Sequence, residues 1–191
     1  MSRIIAISLL SLGLTGLAAC SPDTGEPPPE QAQSASAPSD GKSAQAALSA
    51  TRGHEASGSV RFEGEQDGLI RVSGTITGLA PGEHGFHIHR KGDCSAPDAT
   101  SAGGHFNPTD ERHGGPREAD HHVGDLGNIR ADADGRATVD VVVPHLQLHG
   151  ERSIIGRAVI VHADADDLES QPSGDAGARV ACGTIEQGAG A

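Results

Sequence analysis

The segment Gly-Glu-His-Gly-Phe-His-Ile-His at 82–89 places three histidines within six residues, and one isoleucine separates His87 from His89. In an extended strand successive side chains point to opposite faces, so His87 and His89 share one face while Phe86 and Ile88 share the other. Two imidazoles side by side make either a polar stripe or two teeth of a metal chelate. The chain holds eleven histidines, more than packing requires, which favours the chelate. Residues 101–128, SAGGHFNPTDERHGGPREADHHVGDLGN, add His105, His113, His121, His122 and Asp125, and VIVHADADD adds His162. These are more donors than one tetrahedral ion uses, so two adjacent ions fit the pattern. Imidazole suits both copper and zinc, and a carboxylate at one site favours zinc. An all-histidine site on rigid strands suits copper, which must change oxidation state without losing its ligands.

Such donors must be carried by something stiff. Short strand-like segments occur at 57–64, 69–77, 84–89, 126–132, 136–143, 153–162 and 179–185, with a weaker eighth at 44–50. Gln66-Asp67-Gly68, Ala80-Pro81-Gly82 and Asp134-Gly135 supply hairpin-like turns between several of them. Helical periodicity is nowhere sustained, and Trp and Tyr are absent while Gly reaches 27, so the expectation is an all-β sandwich or barrel. Two stretches do not read as strands: Lys91 to Gly124, dense in His, Gly, Pro and Asp, and Ala163 to Ala178, acidic and rich in Gly and Ser. Loops of that length inside a compact domain are usually functional, and both contain or follow a candidate ligand.

The formal charge of −12 argues against nucleic acid and anionic membrane surfaces as partners. It becomes a puzzle if the substrate is itself an anion. Residues 1–20 read as a targeting segment: Arg3 is a minimal positive region, and Ile4 to Leu17 is too short to be a comfortable membrane span. Leu17-Ala18-Ala19-Cys20 resembles the lipobox of bacterial lipoproteins, which implies lipid attachment at Cys20 and a periplasm-facing protein anchored to a membrane. Ser21 lacks the aspartate associated with inner-membrane retention and so points to the outer membrane. Residues 21–42, rich in Pro, Ser, Ala and Gln, read as a flexible tether, leaving 43–191 as the folded domain. With Cys20 lipidated, Cys94 and Cys182 remain as an even pair, and export to an oxidising compartment would allow one disulfide.

GFHIH, SAGGHFNP, HGGP, HVGDLGN, GRAVIVHADADD and GARVACG resemble the copper,zinc superoxide dismutase family, in order and with near-matching spacing, from about Ser43 to Ile185. The resemblance implies an eight-stranded Greek-key barrel or sandwich with two long functional loops. It implies one copper and one zinc per subunit, superoxide as the substrate, and dismutation to dioxygen and hydrogen peroxide. By the same resemblance His87, His89, His105 and His162 hold copper, while His105, His113, His122 and Asp125 hold zinc, His105 bridging the two. Asp166 would link one ligand of each metal, Arg179 would lie beside the copper channel, and Cys94 and Cys182 would form the intrasubunit disulfide. His105 and Arg179 are the residues expected to act in catalysis.

The other histidines have blander expectations: His84 as a hydrogen-bonded structural residue, His121 as a solvated neighbour of His122, and His54, His145 and His149 at the surface. Cys94 directly after Gly92-Asp93 resembles the bacterial branch. The acidic loop 163–178 has no lysine, so how an anion would be steered is not legible. The resemblance allows a homodimer without specifying its interface. A lipid-anchored copper or zinc buffer on the same barrel is the alternative function, because it would share every metal ligand.

Overall fold

The computed structural model describes residues 43–188. Eight strands run in chain order: β1 (Ser43–Ala50), β2 (Ser57–Gly64), β3 (Ile70–Thr77), β4 (Gly82–His89), β5 (Asp125–Ala131), β6 (Ala137–Val143), β7 (Ala158–His162) and β8 (Arg179–Gln187). They close into one antiparallel barrel in the order β1-β2-β3-β6-β5-β4-β7-β8. β1 and β2 face the core through alternate apolar residues. In β2, Val60 and Phe62 face inward between exposed Ser59 and Arg61, and Ala44, Ala46 and Leu48 do the same in β1. Fully burying a side chain such as Phe62, Ile76 or Ile185 contributes about 1.5–3 kcal/mol. Closure also leaves no free sheet edge.

Along β4 the expected alternation holds: Phe86 and Ile88 join the barrel core, while His87 and His89 point away from it. Both histidines are nonetheless buried, because loops cover that outer face. Two β-bulges fall at the chemistry. One lies between Gly85 and His87 on the β4–β5 ladder, the other between Val161 and His162 on the β7–β8 ladder. A bulge rotates the side chains that follow it, which is how strands aim groups that regular pairing would misdirect.

The segment 153–162 differs from its sequence-based reading, since pairing begins only at Ala158. Gly156 has φ of 77°, and the Arg157 amide donates back to the Ile154 carbonyl, so 153–157 is a turn. The long loop between β4 and β5 is pinned to the barrel by its ends. The Phe106 amide donates to the Ile88 carbonyl, the Ile88 amide to Gly124, and His105 forms an isolated bridge with His89. Cys94 and Cys182 form a disulfide with a Cα–Cα distance of 5.8 Å, tying this loop to β8 across 88 residues of chain. The targeting segment, Cys20 and the tether lie outside the described residues, among which no helix is long and apolar enough to cross a membrane.

Candidate metal centre

Two four-residue clusters of donor atoms sit side by side on the outside of the barrel: His87, His89, His105 and His162, and His105, His113, His122 and Asp125. All seven residues are buried, and within each cluster the donor atoms lie within 4.8 Å of one another. His105 belongs to both. β4 and β7 supply His87, His89 and His162, Asp125 opens β5, and the long loop carries the remaining three.

The outward partner of each ring fixes its tautomer and so the nitrogen left to bind. His87 donates Nε2–H to Asp166 at 2.6 Å. His89 donates Nδ1–H to the Gly103 carbonyl at 2.7 Å, and His162 donates Nδ1–H to Gly177 at 3.2 Å. What remains is His87 Nδ1, His89 Nε2 and His162 Nε2, and these three, with His105 Nε2, are buried without any hydrogen-bond partner. Four unpartnered lone pairs facing one point are too costly to bury unless a cation lies among them. Burial holds the His105 and His162 rings down at about 4 and about 3, and His89 well below the ordinary range, so all are neutral and able to ligate near pH 7.

In the second cluster Asp125 Oδ1 lies 2.7 Å from His105 Nδ1 and 3.2 Å from His122 Nδ1. Asp125 Oδ2 lies 3.0 Å from His113 Nδ1, and the His105 and His122 Nδ1 atoms are 3.4 Å apart. A tetrahedral zinc with bonds of about 2.0–2.2 Å has ligand–ligand edges of about 3.3–3.6 Å, so these spacings approach the edges of such a site. The His122 and Gly114 amides donate to Asp125 Oδ2 at 2.9 and 3.2 Å, while Oδ1 faces the His105 and His122 rings. Burial raises the carboxyl of Asp125, but hydrogen bonds from His105, His113 and His122 outweigh it and hold the group well below the usual carboxylate range. The donor set therefore fits a histidine-only ion beside a three-histidine, one-carboxylate ion.

Asp166 joins the clusters from behind. Its Oδ2 accepts from His87 and its Oδ1 accepts from His113 Nε2–H at 2.9 Å, with all three side chains out of water. Burial alone would lower His113, but Asp125 and Asp166 together hold it up at about 9. Gly174 makes this contact feasible: its φ is 68°, and a Cβ there would strike the Asp166 carboxylate and lie 2.7 Å from His113 Nε2. Arg179, half-buried at the start of β8, donates Nη1–H to Ala99 and Nη2–H to Gly103 at 2.5 and 2.6 Å. Gly103 is the carbonyl that orients His89, so the guanidinium is fixed beside the first cluster.

Every residue the sequence singled out as a ligand is brought into these clusters. His84 lies between the His162 and Ala80 carbonyls at 2.8 Å each, as a structural histidine should. His145 is a correction: it is buried, at 8% exposure, because the chain after β6 turns inward and packs Leu146 into the core. His121 is likewise half-covered, with its ring 4.4 Å from that of His145.

Two positioning residues escaped the sequence reading. Asn128 exchanges two hydrogen bonds with the Asp166 backbone at 2.7 and 2.8 Å, holding that loop against β5. Gln171 does the same for the His113 backbone at 2.8 and 2.9 Å. Asn128 closes the HVGDLGN motif and was visible there, whereas Gln171 carries no local signal. Exposed Arg52 and His54, in the β1–β2 turn, line one pocket of about 290 Å³ with Arg179 and Asp98. Nothing in their own neighbourhood marks them.

Residues 56–185 match the family model described as copper/zinc superoxide dismutase. The chain is 48% identical over 153 residues to superoxide dismutase [Cu-Zn] of Onchocerca volvulus, covering 75% of this chain and 96% of that protein. It is 51% identical over 134 residues to superoxide dismutase [Cu-Zn] A of Xenopus laevis, covering 67% of this chain and 87% of the other. A solved structure described as that of the clock protein EA4 superposes with a TM-score of 0.70 at 45% identity, over 75% of this chain and 93% of the other.

Proposed function

The chain belongs to the copper/zinc superoxide dismutase family, and from that premise we propose how its own residues carry out the dismutation of superoxide to dioxygen and hydrogen peroxide. Copper held by His87, His89, His105 and His162 would supply the one-electron change that lets two superoxide anions react in turn, the second taking up two protons. The protein contributes position, charge and a proton.

His105 is the proton carrier. Its Nδ1 is committed to the cluster with Asp125, so the ring stays aimed whether Nε2 is free or protonated. Nε2 takes a proton in the first half of the cycle and returns it to the forming peroxide in the second. Arg179, fixed by two carbonyls, presents its charge to the anion and draws it against the overall charge of −12. Asp166 keeps the His87 and His113 rings in the tautomers their roles need. His113, His122 and Asp125, with His105, would hold zinc, which would contribute structure and positive charge beside the copper ligands.

The observation that carries this reading is the membership of one imidazole, His105, in both donor clusters. A buffer needs two sites but no shared ring. Metal content measured with superoxide consumption on the purified domain tests it. One copper and one zinc per chain with rapid consumption is expected, and full metal content without consumption would leave only the copper or zinc buffer.

We further infer a bacterial lipoprotein: a lipid on Cys20 after removal of residues 1–19, the tether 21–42, and a domain facing the periplasm from the outer membrane. The lipobox-like Leu17-Ala18-Ala19-Cys20, the residue Ser21 and the position of Cys94 support this reading. A homodimer is proposed on family resemblance alone, and sedimentation of the soluble domain tests it.

A further inference from the structure

Among the described residues, seven side-chain nitrogens are buried without a partner. Five belong to His87, His89, His105, His113 and His162 and face the two donor clusters. The other two are Nδ1 and Nε2 of His145, which belongs to neither cluster. A buried imidazole with no partner carries the same signature as the ligands, and its neighbour shows what could complete it.

That neighbour is His121, whose ring centroid lies 4.4 Å away at an interplanar angle of 70°. Ring pairs within the histidine-only cluster span 4.1 to 6.5 Å, so this pair has the spacing of two imidazoles on one ion. His121 donates Nδ1–H to the His122 carbonyl at 2.7 Å, which leaves Nε2 as a lone pair. This is the arrangement that prepares a histidine to ligate. Both rings line a groove of about 620 Å³ that also holds the carboxylate of Glu118, which favours a cation, and Arg117 and Arg152, which oppose one and weaken the site.

We propose that His121 and His145, with water completing the shell, form a third metal site that takes a divalent transition ion of imidazole-preferring character, such as Zn²⁺. Two imidazoles are half the donors of a structural zinc site. Half of the binding free energy of such a site corresponds to a Kd on the order of 10 μM. The site lies one residue from the zinc-cluster ligand His122 and needs no change in either resident metal.

The test is equilibrium dialysis of the full chain, already loaded with copper and zinc, against Zn²⁺ alone at about 1–100 μM, with metal content read by elemental analysis. Wild type should take up one further equivalent, and His145→Ala and His121→Ala should each lower its affinity at least fivefold while keeping the two resident metals. If loaded wild type takes up no third equivalent, or if His121→Ala takes it up with unchanged affinity, the proposal is overturned. His121 is only half-covered, so its variant decides the matter even if His145→Ala fails to fold. Failure to hold the two resident metals in wild type would instead count against the dismutase reading, so the two failures are distinguishable.

Discussion

Asn at position 166 removes one oxygen from the bridge between the two metal clusters and keeps its shape. The Asp166 carboxylate accepts Nε2–H of His87 at 2.6 Å and of His113 at 2.9 Å, all fully buried. An amide has one acceptor oxygen, so one imidazole keeps its partner and the other N–H meets an NH₂ donor. To relieve that clash the ring must turn or move its proton to Nδ1, the nitrogen that faces its cluster in both histidines. Hydrogen bonds to charged acceptors contribute about 1.5–3 kcal/mol each. Losing an outer partner of this kind lowers metal affinity about 10–100-fold, or about 1.4–2.7 kcal/mol. We expect Asp166→Asn to raise the zinc Kd within that range, measured by competition with a chromophoric chelator. The melting temperature at fixed zinc should fall in step, since bound metal stabilises only the folded chain. Gly174→Ala should weaken zinc in the same direction without changing any charge, because its Cβ would displace the same carboxylate. A zinc Kd within threefold of wild type in folded Asp166→Asn protein would refute the claim that this carboxylate aims the rings.

The remaining expectations concern charge, stability and location. Arg179→Ala should lower the second-order rate with superoxide by about tenfold at matched copper content and flatten its salt dependence, read by stopped-flow or pulse radiolysis. Arg52→Glu, in the same pocket but in water, should lower that rate by about three- to fourfold at low salt, Arg52→Lys should restore it, and equal rates would make Arg52 a bystander. Cys94→Ser opens a cross-link spanning 88 residues and should cost about 2–5 kcal/mol in denaturant unfolding. Cys20→Ala should release the protein from the membrane fraction with its domain intact, and a correctly processed variant that stays bound would rule out a lipid on that cysteine.

What the sequence determined by itself was whatever depends on neighbours along the chain. The alternation in Phe86-His87-Ile88-His89 dictates which pair faces the core, because strand side chains alternate whatever the tertiary context. The strands were legible for the same reason, except at 153–157, where Gly156 permits a turn inside an apolar run. The donors of both clusters were legible through their motifs, which hold them at set spacings on β4, in the long loop, at the start of β5 and at the end of β7. Tertiary structure alone decided which nitrogen of each ring is free, because that depends on Asp166, Gly103 and Gly177, at separations of 79, 14 and 15 residues. It alone decided that Gln171 braces His113 across 58 residues, and that Arg52 shares a pocket with Arg179. It also reversed the expectation for His145. No local rule buries a histidine after Pro144, but closing the barrel drives Leu146 inward and carries its neighbour beneath His121. Burial is a property of the closed barrel, and only the folded chain assigns it.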